Sequence, residues 1–202
     1  MLSRLKRQWQ HRLLKDPRYS SLFEENHEEI VSLDCETTSL KVAEAELLSI
    51  GAVRIAGNRI LASQSFYVLV KPTRKLESRN ISIHGLRPID VSSGLDAHEA
   101  VSQLLDFIGG RPLLGYYLEY DIAVLNKYVR QISGTTLPNR QIEVSSRFYD
   151  YKFKQNPGAY IDLRLAMLIE ELQVPALPRH DALNDAMTAA MLYLTSKQRG
   201  FG

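Results

Sequence analysis

The sequence predicts an α/β domain in which a mixed β-sheet, opened by a three-strand antiparallel meander, continues as alternating strands and helices. Three observations carry this. Apolar runs with strand character crowd residues 30–70, helical periodicity dominates after residue 96, and short apolar runs recur between the later helices. At 202 residues the chain is most simply one domain with a sizeable core.

The N-terminal stretch "MLSRLKRQWQHRLLKDPRYS" is basic, with Leu2, Leu5, Trp9 and Leu13 at helical spacing. It lacks the continuous apolar centre of a secretory signal, although an organelle transit peptide is one reading. The reading adopted is a retained amphipathic helix that packs on the domain through its leucines and Trp9, with nucleic-acid contact as the sharper alternative. Residues 1–27 are therefore expected to form a basic amphipathic helical extension, and residues 28–202 the main domain.

Ile30 to Asp34 reads as the first strand, followed by "ELLSIGAVRIAGNRILASQSFYVLV" as two strands joined at Gly57-Asn58, a tight-hairpin signal. Pro72 ends that hairpin, and "RNISIHGLRPID" is a loop. A helix follows over "DAHEAVSQLLDFIGG", with Asp96 as N-cap and Gly109-Gly110 closing it. "PLLGYY" is the fourth strand, and "LEYDIAVLNKYVRQIS" an amphipathic helix with Ile122, Leu125, Val129 and Ile132 on one side. Residues 133–160 carry little periodic signal beyond one short strand near Ile142 to Val144. "DLRLAMLIEELQ" is a helix, and the last helix runs from near Asp181, its expected N-cap, to about Lys197.

Composition excludes several classes. A formal net charge of +2 does not by itself announce a nucleic-acid binder, though it leaves room for a local basic patch. The single cysteine rules out an internal disulfide and a multi-cysteine zinc site, which fits a reducing, cytoplasmic location. No apolar run reaches the ~18 residues of a transmembrane helix, so no membrane partner is expected.

The chemistry is concentrated in "IVSLDCETTSL", an apolar strand that ends in two anions. Side chains alternate along a strand, so Asp34 and Glu36 share a face while Cys35 points away as a small core residue. Two unpaired carboxylates there repel each other and resist desolvation, so a cation between them is the natural complement. Asp121 lies in the first turn of the helix after the fourth strand, and Asp185 near the start of the last helix, five residues after His180. Five residues rotate roughly 140° around a helix, so His180 must precede the helix to share a site with Asp185. Pro178 favours that arrangement. All-oxygen donors of this kind suit Mg²⁺ or Mn²⁺. Two such ions serve in-line phosphoryl displacement, and a loop histidine suits proton transfer from the attacking water.

"DCETT", "YDIAVL" and "HDALNDA" resemble the three motifs of the DEDD (DnaQ-like) 3′–5′ exonucleases, and "ISIHGL" resembles that family's nucleotide-side element. The likeness is greatest to the epsilon proofreading subunit of bacterial DNA polymerase III and covers residues 28 to 197. His180 followed by four residues and Asp185 is similar to the histidine subclass; the tyrosine subclass would have Tyr where Asp181 stands. The resemblance implies an RNase H-like fold and metal-dependent removal of nucleoside 5′-monophosphates from 3′ ends of single-stranded DNA or RNA. It implies that Asp34, Glu36, Asp121 and Asp185 hold two divalent ions and that His180 is the general base. It also sets Glu36, Thr37, His84 and Tyr120 beside the terminal nucleotide.

The second motif departs from the family's "GHNAxFD". Here "GYYLEYD" puts Tyr116 and Tyr117 in place of His and Asn, while Tyr120 keeps an aromatic before Asp121. Sugar preference is open to this change, and DNA is the expected substrate over RNA. The chain ends soon after the last motif helix, so a free-standing nuclease, or one recruited by a polymerase or another protein in a different way, is expected. Two alternatives belong to other classes: a nucleic-acid-binding or scaffolding module with a degraded site, and a small-nucleotide phosphodiesterase. The cluster "YDYKFK" reads equally as a base-stacking, phosphate-binding patch or as a solvated amphipathic strand. His11, His27 and His98 have no ligating spacing.

Overall fold

The computed structural model describes residues 2–26, 28–74, 76 and 85–200, without the side chains of residues 2–4 and 6. The sheet is organised around β1 (Glu29–Thr37), whose alternation splits cleanly. Val31, Leu33 and Cys35 enter one apolar cluster. Ser32, Asp34 and Glu36 face the opposite side, where the Ser32 hydroxyl donates to the Ala186 carbonyl at 2.7 Å.

β2 (Leu47–Ala56) pairs antiparallel with β1, setting Asp34 against Gly51 and Glu36 against Ser49. The ladder slips between Glu36 and Thr37, so the strand bends as its two acids are presented. On the other edge of β2, the expected single strand is two pieces, β3 (Arg59–Ile60) and β4 (Phe66–Leu69). A 3-10 turn at Ala62–Gln64 leaves the ladder between them. "ASQS" offers small, turn-prone side chains and no alternating apolar face, which is why the pairing lapses there.

Two further strands, β5 (Leu113–Gly115) and β6 (Gln141–Glu143), extend the sheet in parallel beyond β1, giving the order β3-β2-β1-β5-β6 with β4 also on β2. The helices in chain order are α1 (Leu2–Arg12), α2 (Pro88–Val91), α3 (Ala97–Ile108), α4 (Leu118–Ser133), α5 (Val144–Gln155), α6 (Leu165–Leu172) and α7 (Ala182–Gln198). α3 and α4 cover one face through Val101, Leu104, Leu105, Ile122, Leu125 and Val129. α5, α6 and α7 cover the other, with Phe148, Leu168, Leu172 and Leu192 packed on Val53, Ile55 and Leu114. Asp96 and Asp181 cap α3 and α7 as their sequence positions predict.

α5 was not legible as a helix. "YDYKFK" lies within it, so the strand reading of that cluster is corrected. Val144 and Phe148 are its buried ridge, while aromatic and serine residues of modest helix propensity obscure the period. Glu143 caps it by accepting from Ser145 N at 3.1 Å.

The orientation of α1 also differs from expectation. Its polar side docks: buried Gln10 reaches Thr136 Oγ1 at 2.7 Å, and the Arg7 guanidinium donates to the Pro138 and Leu22 carbonyls. Leu5, Trp9 and Leu13 are 56%, 61% and 40% exposed. The surface beneath α1 offers backbone carbonyls, which need donors, so glutamine and arginine go inward. Tyr19 and Leu22, just after α1, are buried in the main core.

Candidate active site

Three devices bring distant acids to one place. The first is the end of β1, which delivers Asp34 and Glu36 to the face that carries α7. The second is the close seat of α7 on that face. Gly51, directly opposite Asp34, has no Cβ, and one built there would overlap the Ala182–Leu183 peptide. Buried Ala182, Ala186, Ala189 and Ala190 give α7 a thin surface that permits the approach. Asp185, one turn into α7, is thereby brought to the strand end.

The third device is the start of α4, which follows β5 and sets Asp121 in its first turn, 4% exposed. Its N-terminus is held by Glu143, whose Oε2 accepts from Leu118 N at 2.9 Å. Motif reasoning did not identify Glu143; its position just ahead of α5, as a helix cap, was the available signal.

His180 precedes α7, as its five-residue offset from Asp185 requires, and adopts φ 62°. Its backbone N–H donates to Asp185 Oδ2 at 3.0 Å. Ligand-capable atoms of Glu36, His180 and Asp185 lie within 4.8 Å of one another.

The electrostatics tie Asp34 and Asp121 to that group. Burial holds the Asp34 carboxyl well above the usual range, reinforced by the negative charges of Asp121, Asp185, Glu36 and Asp181. Asp121 is raised by burial, with Glu36 and Glu143 adding to it and the Cys35 backbone N–H opposing. Glu36 is pushed up to about 7 by burial, then by Asp185 and Asp181. Asp185 is raised by burial despite the His180 N–H and the positive charge of Arg179. Among the described residues, Arg179 offsets only part of this charge, at Asp185. A cluster of oxygen donors that all resist ionising together fits a divalent cation, and it is a possible metal site.

Beside the acids, Thr37 Oγ1 and Tyr120 Oη share a hydrogen bond of 2.6 Å, and Tyr120 Oη also donates to the Ser39 carbonyl. The bend after Glu36 and the start of α4 are thus joined. Lys127, from the same helix, donates to the Val42 and Ala45 carbonyls at 2.9 and 2.6 Å and pins the intervening loop. Tyr116 turns inward and donates to the Leu163 carbonyl at 2.9 Å. Tyr117 is 61% exposed, adopts φ 61°, and lies nearly parallel to Tyr120 at 6.2 Å between ring centroids. A left-handed backbone costs a tyrosine roughly 1–3 kcal/mol. Cys35 faces the core, where burial pushes its thiol up. His84 lies outside the described residues.

Comparison with known proteins places this geometry. The exonuclease family model (RNase_T) matches residues 31–193. The DNA polymerase III epsilon subunit of Aquifex aeolicus (strain VF5) is 28% identical over 109 residues, covering 54% of this chain and 53% of that protein. The PolC-type DNA polymerase III of Thermotoga petrophila is 24% identical over 182 residues, covering 90% of this chain but 13% of its own length. Cell-death related nuclease 4 superposes with a TM-score of 0.71 at 16% identity, over 86% of this chain and 64% of that one. An Escherichia coli exonuclease I–single-stranded DNA complex gives 0.73 at 14%, over 87% and 41%. The shared fold is RNase H-like, a mixed curled sheet flanked by helices. With a family model spanning most of its length, this chain belongs to the exonuclease family.

Proposed function

We propose that this protein is a metal-dependent 3′–5′ exonuclease that removes nucleoside 5′-monophosphates from single-stranded nucleic acid, with DNA preferred over RNA. The observation that carries the reading is the gathering of Glu36, His180 and Asp185 within 4.8 Å beside Asp34 and Asp121. The shared upward pull on the four carboxyls adds to it.

Asp34, Glu36, Asp121 and Asp185 hold two divalent ions, Mg²⁺ or Mn²⁺. Such ions, when bound, lower the pKa of a water and stabilise the oxygen that leaves phosphorus. His180 accepts the proton of the attacking water from an exposed turn, where its ring can move while its backbone N–H keeps Asp185 aligned. Glu36, Thr37 and Tyr120 line the place of the terminal nucleotide, and His84 joins them on its motif alone. Glu143 positions Asp121 through the start of α4.

The single-stranded DNA named with exonuclease I supports an unpaired strand as substrate. The epsilon relative supports recruitment by a polymerase or another protein. Residues 28–202 form the nuclease domain, and residues 1–27 a basic amphipathic extension whose Tyr19 and Leu22 pack into the same core. A cytoplasmic location fits the unpaired Cys35. Among the described residues, no helix is long and apolar enough to cross a membrane.

The test uses matched 5′-labelled single-stranded DNA and RNA with Mg²⁺, Mn²⁺ or chelator. A metal-dependent ladder shortening from the 3′ end, with mononucleotide products and faster loss of DNA, is expected. Intact strands that nonetheless shift on a native gel would favour a binding module with a degraded site.

A further inference from the structure

Tyr117 has no structural duty that accounts for its conformation. It occupies the N-cap of α4, yet its side chain makes no capping hydrogen bond, and Glu143 accepts from Leu118 N instead. Its φ of 61° lies in the left-handed region, which a tyrosine adopts only under constraint. Among the described residues its hydroxyl has no hydrogen-bond partner. The ring is 61% exposed. One side is steadied by Tyr120, with the planes only 14° apart. That partner is itself fixed, because its hydroxyl is held by Thr37 and the Ser39 carbonyl.

A strained backbone that holds an aromatic ring open to solvent, four residues before Asp121, is suited to a flat ligand. Every nucleobase offers a π-face, and stacking on aromatics binds unpaired bases without regard to sequence.

We propose that Tyr117 is a specificity-determining substrate contact. Its ring stacks on one unpaired base near the 3′ end. This rests on the nuclease reading above. The observed pairing with Tyr120 supports the seat, since the two near-parallel rings form a stepped platform at the edge of the acidic cluster. The departure from the family's second motif is then a change in how the strand end is gripped, with the metal-binding carboxylate beside it retained.

The test is a cycle between protein and substrate. Wild type, Tyr117→Ala, Tyr117→Trp and Tyr117→Asn are compared on single strands carrying one abasic position at the first, second or third nucleotide from the 3′ end. Removing a stacking side chain should weaken binding roughly tenfold, within the ~5- to 150-fold range of such contacts. The loss should appear in KM more than in kcat. At one position the abasic lesion should harm wild type and Tyr117→Trp but leave Tyr117→Ala no worse. Tyr117→Asn tolerates the left-handed backbone, so it should melt no lower than wild type yet lose affinity like alanine. Additive effects at all three positions, or full affinity in Tyr117→Asn, would overturn the assignment. Absence of metal-dependent shortening by wild type would overturn the nuclease reading itself, which the intact-strand control identifies separately.

Discussion

Asp34 and Gly51 stand directly opposite each other in the β1–β2 ladder, and the missing side chain of one decides what can approach the other. The Ala182–Leu183 peptide occupies the space that a Cβ on Gly51 would need. Gly51→Ala should push the start of α7 off the sheet, costing about 1–3 kcal/mol as overpacking does. Because Asp185 and His180 ride on that segment, activity should fall at least tenfold even below the melting temperature. Thermal melts and initial rates on the same preparation check this. A variant with normal stability and full activity would show that the contact does not matter.

Much of this arrangement was readable from the chain. Strand alternation placed Asp34 and Glu36 together and turned Cys35 to the core, and the five-residue offset required His180 to precede α7. Gly51 was not readable, because a glycine in an apolar strand looks the same whether it faces open space or another backbone. Glu143 was hidden for a related reason: its hold on Leu118 depends on what β6 brings beside α4, a long-range relationship with no local period. The outward face of α1 escaped because amphipathic spacing reveals which residues share a side, and not which side meets carbonyls.

The acidic cluster links stability to pH. Glu36 has a folded value of about 7 against 4.5 for the free group. Between these values the folded state holds more protons than the unfolded state, so the contribution of Glu36 to metal-free stability should fall as pH rises and be lost above about 7. Asp34, Asp121 and Asp185, also raised, act in the same direction. A divalent cation competes with those protons, so its stabilisation should grow over the same interval. Melting curves with chelator and with Mn²⁺ between about pH 5 and pH 8 test both halves. A metal-free melting temperature that rises through this range would contradict the linkage.

His180→Asn keeps a residue that tolerates the left-handed backbone and retains the N–H that holds Asp185. It removes the imidazole. The expected result is a fall in kcat of about 10²–10⁴, the usual contribution of general acid–base catalysis, with Mn²⁺ affinity changed far less. An unchanged rate at saturating metal would remove the proton-transfer role from His180.

Tyr120→Phe deletes the hydroxyl that Thr37 and the Ser39 carbonyl share. Folding should lose about 0.5–1.5 kcal/mol, the net value of a typical hydrogen bond. The larger consequence is a looser Thr37, seen as a several-fold rise in KM for single strands. Equal KM values in wild type and variant would separate this bond from substrate binding.

The most direct test of the central claim compares wild type with Asp34→Ala on a 5′-labelled single strand across a Mn²⁺ titration, with circular dichroism on both proteins. Asp34 is the carboxyl on which the charges of Asp121, Asp185 and Glu36 all bear. Its removal should leave the fold intact and raise the metal-free melting temperature, because a repelled charge is gone. It should also abolish shortening at every Mn²⁺ concentration. A folded Asp34→Ala protein that still trims 3′ ends at the wild-type rate would contradict the metal-site account.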